Sequence, residues 1–365
     1  MGEESKMANT KNLSRHYTVR AGSGKAGGVL LGIGALLAAG VAGYAVWTLS
    51  TGSVVPGDGQ EVPVEQGSGG LGTGGLDGIA PTESIEEILG AVQVYVRNQE
   101  YEQATTVLEH AARQFPGDQE IHLALGDLYM VQKKNEPAYA QYVSGIEIGP
   151  SSSMMEFTAG TLAQMLGRTE LAEMHYMSAM RLDPKNPDMP IYLAAVQMKA
   201  NRLVDAKMNL AIAGKLAPDR STIYAMRSDI ALRENKLHIA LEQIQKAIDL
   251  SPREAGLILQ QAKVLKRMGK GEEALNLLAS LPEEQLGEPD TARLLAECYG
   301  LVGRPGDAAS RMMDVASLHP QDGQLAFDVA LWLERAGERE QAIEWANKAQ
   351  QLGHARAKDW VESLP

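Results

Sequence analysis

The chain of 365 residues has one cysteine, Cys298, so it can form no intrachain disulfide, and neither a thiolate zinc site nor an iron–sulfur cluster can be assembled from it. Aromatic residues make up only 5% of the sequence, too few for a sandwich core of aromatic and branched side chains. Ala, Leu, Gly and Met are plentiful instead, which favours close-packed helices and an all-α fold. Positive charge is also short: 34 basic against 46 acidic residues leave a net charge of −12, which repels phosphate backbones and argues against a nucleic-acid partner. The seven histidines are scattered, with no i, i+4 pair and no His-Glu-x-x-His, so metal hydrolysis has no support. A phosphate-binding Gly-x-x-x-x-Gly-Lys-[Ser/Thr] is missing too, and Gly24-Lys25 has no strand before it. No enzyme activity, cofactor or metal is therefore expected.

Charge is absent altogether from Ala26 to Pro56, and within that run Val29 to Trp47 is 19 mostly apolar residues. As a helix it would be about 28 Å long, enough to span a bilayer core. The preceding segment, 1–27, carries Lys6, Lys11, Arg15, Arg20 and Lys25 against Glu3 and Glu4. The positive-inside rule then predicts a basic cytoplasmic tail (1–27) and a single-pass transmembrane helix (28–49) in the inner membrane, with everything beyond Trp47 exported to the periplasm. A cleaved signal peptide is the alternative, since Ala39, Ala42, Gly43 and Ala45 could supply a peptidase site. The long basic region and the length of the apolar run favour an uncleaved anchor. Residues 50–82 hold ten glycines, Pro56, Pro63 and Pro81, four acids and no base, a composition that cannot bury a core and reads as a disordered, flexible linker.

The rest of the chain carries a 34-residue period. Pro116, Pro150, Pro184, Pro218, Pro252 and Pro320 keep to it, with Leu286 in the vacant slot. Twelve residues before each slot stand Ala104, Ala138, Ala172, Ala206, Ala240, Ala274, Ala308 and Ala342. A second column, Val92, Gly126, Gly160, Ala194, Ser228, Ala262, Ala296 and Ala330, is small in all but its first member. Small residues facing an alanine column allow two helices to approach closely, so each period reads as a helix hairpin. Gly167, Asn201, Asn235, Gly269, Gly303 and Gly337 recur where a left-handed residue would end the first helix, and each proline stops the second.

This pattern, most openly Tyr129 to Pro150 and Tyr176 to Pro184, resembles the tetratricopeptide repeat family over about three quarters of the chain. The resemblance implies a right-handed α-solenoid of about eight repeats, at 85–118, 119–152, 153–186, 187–220, 221–254, 255–288, 289–322 and 323–356, within a domain at 83–356. Val92, Pro282, Leu286 and His354 depart from the family pattern, and Pro282 should shorten the second helix of the sixth repeat. A capping box at Ser84 and Glu87 opens the array, and residues 357–365, with Trp360, read as a C-terminal capping helix.

In such arrays the first helices line the binding surface. Their inward positions in repeats two to five include Met130, Met154, Phe157, Gln164, Met165, Ile191, Tyr192, Met198, Ala225 and Met226, a soft apolar strip suited to an apolar or helical peptide. Met174, Met177, Met180 and Met208 lie on second helices and read as ordinary core or convex-face packing. Farther along, Arg233, Lys263, Lys266, Arg267 and Arg293, facing Asp229 and Glu297, form a polar end. The asparagines with which some family members clamp a terminal carboxylate are missing, which excludes that cochaperone role.

The function expected is a membrane-anchored periplasmic scaffold that binds protein or peptide partners during assembly of an envelope complex, in pilus biogenesis, secretion, cytochrome maturation or polysaccharide export. Oligomerisation is compatible with it. A translocon-associated periplasmic holdase for exported chains is the alternative, distinguished by breadth of ligand.

Overall fold

A computed structural model describes residues 84–363. Among these residues the architecture is all helical, without a strand. Eight hairpins follow one another: α1 (Ile85–Arg97) with α2 (Tyr101–Gln114), α3 (Gln119–Val131) with α4 (Asn135–Ile148), and α5 (Ser153–Met165) with α6 (Thr169–Leu182). Then come α7 (Asp188–Lys199) with α8 (Leu203–Leu216), α9 (Ser221–Arg233) with α10 (Leu237–Leu250), and α11 (Ala255–Arg267) with α12 (Gly271–Leu278) and the short α13 (Glu283–Leu286). The last are α14 (Pro289–Leu301) with α15 (Pro305–Leu318) and α16 (Gly323–Ala336) with α17 (Arg339–Gln351), followed by a single helix, α18 (Ala357–Ser363). No helix among the described residues is long and apolar enough to cross a membrane. The tail, span and linker expected over 1–27, 28–49 and 50–82 lie outside the described residues.

The hairpins are built from the small-residue columns. All eight alanines from Ala104 to Ala342 are completely buried, and their small partners on the first helices are buried too. The fit is matched pair by pair. Gly126 and Gly160 stand where the second helix carries Tyr142 and Tyr176, whose ring carbons lie 2.9 Å from where a Cβ would be. Where the second helix instead carries Leu210 or Leu278, the partner is Ala194 or Ala262. Bulk added on one side is thus removed on the other, as close packing requires.

Every hairpin turns on a left-handed residue at the same repeat position. Gly167, Asn201, Asn235, Gly269, Gly303 and Gly337 all have positive φ. So do Gln99 (φ 64°) and Lys133 (φ 58°), which the sequence does not flag because neither is a residue that favours this region. In the five hairpins that end ahead of Pro116, Pro150, Pro184, Pro218 and Pro252, the second helix stops two residues before the proline. In the sixth repeat α12 is cut to 8 residues ahead of Pro282, and α13 fills the remaining length.

The described residues fall into two compact units, one up to residue 183 and one from residue 184 onward. In the first, the Ser84–Glu87 capping box closes the exposed end of α1: Ser84 Oγ accepts from the Glu87 amide at 3.3 Å, and the Ser84 amide donates to Glu87 Oε2 at 2.8 Å. In the second, Trp360 of α18 meets Phe327 edge-on at 5.8 Å, and His354, in the last proline slot, stacks on the same phenyl ring at 4.3 Å between centroids.

Candidate functional site

The apolar residues singled out in the sequence divide between the two units, and four of them are interior. In the first unit Met154 and Met165 are exposed and Met130 and Gln164 half-buried, with Gln164 Oε1 accepting from the Tyr176 phenol at 3.0 Å. Phe157 is only 6% exposed and packs against Tyr176, their ring centroids 5.7 Å apart. In the second unit Ile191, Tyr192 and Met198 are buried, Ile191 and Met198 joining Leu210, Ile223 and Ile230 in one cluster on which the half-buried Met226 rests. The expected open strip is therefore corrected at Phe157, Ile191, Tyr192 and Met198. The reason lies in helix composition: α5 and α7 each bury nine residues, being apolar or small on nearly every face, so residues that look inward-facing and free are walled in. Of the methionines on second helices, Met174, Met177 and Met208 are exposed and so are not core.

The polar end also sorts itself by partner. Arg233 is tied to its own unit, pairing with Asp229 at 2.9 Å and donating to the Met198 carbonyl at 2.7 Å. Arg293 is fixed between Asp328, 2.7 Å away, and Asp290, 2.9 Å away. Lys263 projects outward from α11. Lys266 and Arg267 differ from these, because they line an open cavity of about 760 Å³ formed with the ends of α14 and α16. Lys266 pairs with Glu297 across it, and Arg267 donates to Asn235 Oδ1 at 3.0 Å.

Two residues of this cavity were not picked out from the sequence, Trp332 and Arg335. The Trp332 indole lies directly on the backbone of α14: a Cβ on Gly300 would come within 2.5 Å of the ring. Arg335 stacks on that indole, its guanidinium carbon 4.5 Å from the ring centroid. Leu301 and Pro305 complete an apolar floor. The repeat ruler contained the signal, since Arg267, Leu301 and Arg335 are 34 residues apart and occupy one position of three successive repeats. The site thus offers three cations, one carboxylate, an indole face and an aliphatic floor. That combination suits an anionic group with an apolar portion beside it. Cys298 beside it is buried, and burial pushes its thiol up to about 11, leaving it protonated and inert. Among the described residues no group of three or more His, Cys, Asp or Glu is placed to hold a metal.

A tetratricopeptide repeat family model matches residues 85–153, and a TPR-like model, ChAPs (Chs5p-Arf1p-binding proteins), matches residues 138–331. The chain belongs to the tetratricopeptide repeat family. Solved structures agree on the fold. A tetratricopeptide repeat protein from Parabacteroides merdae ATCC 43184 is 15% identical with a TM-score of 0.55, over 67% of this chain and 97% of that one. The APC/C hetero-tetramer Cut9–Hcn1 is 15% identical with a TM-score of 0.51, over 71% of this chain and 50% of that one. No curated protein sequence matches the chain. As a tetratricopeptide repeat array it is a scaffold for protein–protein interaction.

Proposed function

We propose that this tetratricopeptide repeat protein is an adaptor anchored in a cytoplasmic membrane, which displays its repeats on the outer side and captures an acidic segment of an envelope-complex component in the cavity of its second unit. The observation that carries the reading is the cavity itself. Lys266, Arg267 and Arg335 line it with a single carboxylate, Glu297, which pairs with Lys266, in a chain that is strongly acidic elsewhere. A local cationic surface on an anionic protein selects acidic partners by charge complementarity. Trp332, Leu301 and Pro305 add apolar contact, and an aromatic beside arginine is the composition that dominates interface energetics. The ChAPs model is itself named for proteins that bind other proteins, which fits a binding role. The anchor and outward orientation rest on residues 1–49, where a basic tail precedes an uncharged apolar run.

The reading is tested by placing a photo-crosslinking residue at Leu301 in the full chain and irradiating native membranes. A small, stoichiometric set of crosslinked proteins is expected. Replacing Lys266, Arg267 and Arg335 together by Gln should lower the yield roughly tenfold or more, and high salt should do the same to the wild type. Protease added to spheroplasts should digest the repeats and leave the basic tail. Crosslinks spread over many unrelated exported chains would replace the adaptor with a holdase.

A further inference from the structure

We infer that the outward face of α8 is the interface of a two-fold dimer, in which this helix packs antiparallel against the same helix of a second copy of the chain. Val204, Met208, Ile212 and Leu216 are 68%, 59%, 41% and 38% exposed, and they follow one another at every fourth residue. They form an unbroken apolar ridge about 18 Å long. The other exposed positions of the helix are Ala211 and two lysines, so no exposed carboxylate interrupts it.

An apolar outer face is not general to the second helices of this unit. The following one, α10, exposes Glu242 and Lys246, α15 exposes Asp307 and Asp314, and α17 exposes Glu340 and Glu344. Those faces meet water, and α8 departs from them in one direction only. Its ridge has no Trp, Tyr or Phe, the residues that seat a helix in a bilayer interface, and a chain of net charge −12 is repelled by anionic lipid. A protein surface is the better cover.

Self-complementarity singles out a second copy. A two-fold axis at the level of residue 210 brings Val204 opposite Leu216 of the second copy and Met208 opposite Ile212, so a short side chain meets a long one at the ends of the ridge. The same axis brings Lys215 to the level of Asp205. Neither side chain has an ionic partner among the described residues, and the two lie too far apart on one helix to meet each other. Both find an opposite charge only across the axis. No other register pairs the ridge with itself over its full length.

The test uses full-length chains in native membranes. Differently tagged M208C and I212C copies are coexpressed and oxidised with copper phenanthroline; the native Cys298 is buried and silent. A disulfide-linked dimer between the two tags is expected, while a matched pair of E242C copies, cysteine now on α10, gives none. Asp205→Lys should lower the yield several-fold, and adding Lys215→Asp should restore it, with circular dichroism unchanged in each variant. Absence of the 208–212 product, or a yield indifferent to both charge changes, overturns the proposal. Pelleting of the monomeric chain with anionic phospholipid vesicles, abolished by Met208→Glu with Ile212→Glu, would also overturn it and assign the ridge to lipid.

Discussion

The phenol of Tyr142 donates its hydrogen bond to the buried carboxylate of Asp127, whereas one repeat later the phenol of Tyr176, which donates to Gln164, lies 3.2 Å from the neutral hydroxyl of Thr161, the residue that replaces Asp127 in the 34-residue register. The same structural slot is thus ionisable in one repeat and not in the next. Burial raises the Asp127 carboxyl from 3.8 to about 7, and the Tyr142 hydrogen bond only partly opposes this. The folded chain therefore holds this proton more tightly than the unfolded chain does. Stability from this group is fully present below about pH 4 and is lost as pH rises toward 7. Asp127→Asn keeps an acceptor for the phenol and cannot ionise. It should stabilise the first unit by on the order of 2–4 kcal/mol at pH 8 and hardly at all at pH 4, as read by urea unfolding at the two values. An equal effect at both would mean that the carboxyl is not the titrating group.

Phe157 and Met198 would be the natural anchors of a peptide groove, and the structure makes them core residues. Their truncation should therefore show first in stability. Phe157→Ala leaves a void against Tyr176 and should cost about 3–5 kcal/mol, and Met198→Ala about 2–5 kcal/mol. Thermal melts followed by circular dichroism would check this. Unchanged melting temperatures would return both residues to the exposed surface. Met165→Ala, at an exposed position, should shift the melt by no more than about 0.5 kcal/mol.

The contrast explains what could be read from the sequence. Ala206 and its column are legible because they recur in every repeat and fit only where two helices touch. The same period located Gly167 and Asn201 at turns, since those residue types favour the left-handed region. Individual burial is not periodic. Whether Met198 is interior or Met208 exposed depends on what neighbouring helices cover, and methionine is equally at home in either place. The Trp332–Arg335 stack escaped for a related reason: it is seated on a different repeat, and its enabling residue, Gly300, looks like any helix glycine until the indole is placed on it.

Gln99 and Lys133 hold positive φ without the residue type that makes it easy. For an ordinary side chain this conformation costs roughly 1–2 kcal/mol. Lys133→Gly should therefore stabilise the first unit by about 0.5–1 kcal/mol, even though glycine has more entropy to lose. Gly167→Ala, at the equivalent turn one repeat later (φ 74°), should destabilise it by about 1 kcal/mol although nothing lies near its Cβ. Urea denaturation of both variants gives the comparison. The same sign for both would show that the turn does not carry the strain.

Two glycines of the seventh repeat should respond to the same substitution with opposite signs. Gly306 is in the first turn of α15 with nothing within 4 Å of an added methyl, so Gly306→Ala only restricts the unfolded chain and should stabilise by about 0.5–1 kcal/mol. Gly300 is inside α14, where alanine is intrinsically favoured by about 1 kcal/mol, yet its methyl would lie 2.5 Å from the Trp332 ring. Overpacking of that kind costs about 1–3 kcal/mol, which outweighs the helix gain. The indole can relieve the clash only by lifting from α14, which separates it from Arg335 and reshapes the floor of the cationic cavity. Gly300→Ala should therefore lower the melting temperature, alter the near-ultraviolet circular dichroism and reduce crosslinking from Leu301. Trp332→Ala combined with Gly300→Ala should remove the steric cost, recovering much of the stability while leaving the crosslinking low. If Gly300→Ala melts later than wild type with an unchanged aromatic spectrum, the indole does not rest on that backbone, and the cavity has lost its wall.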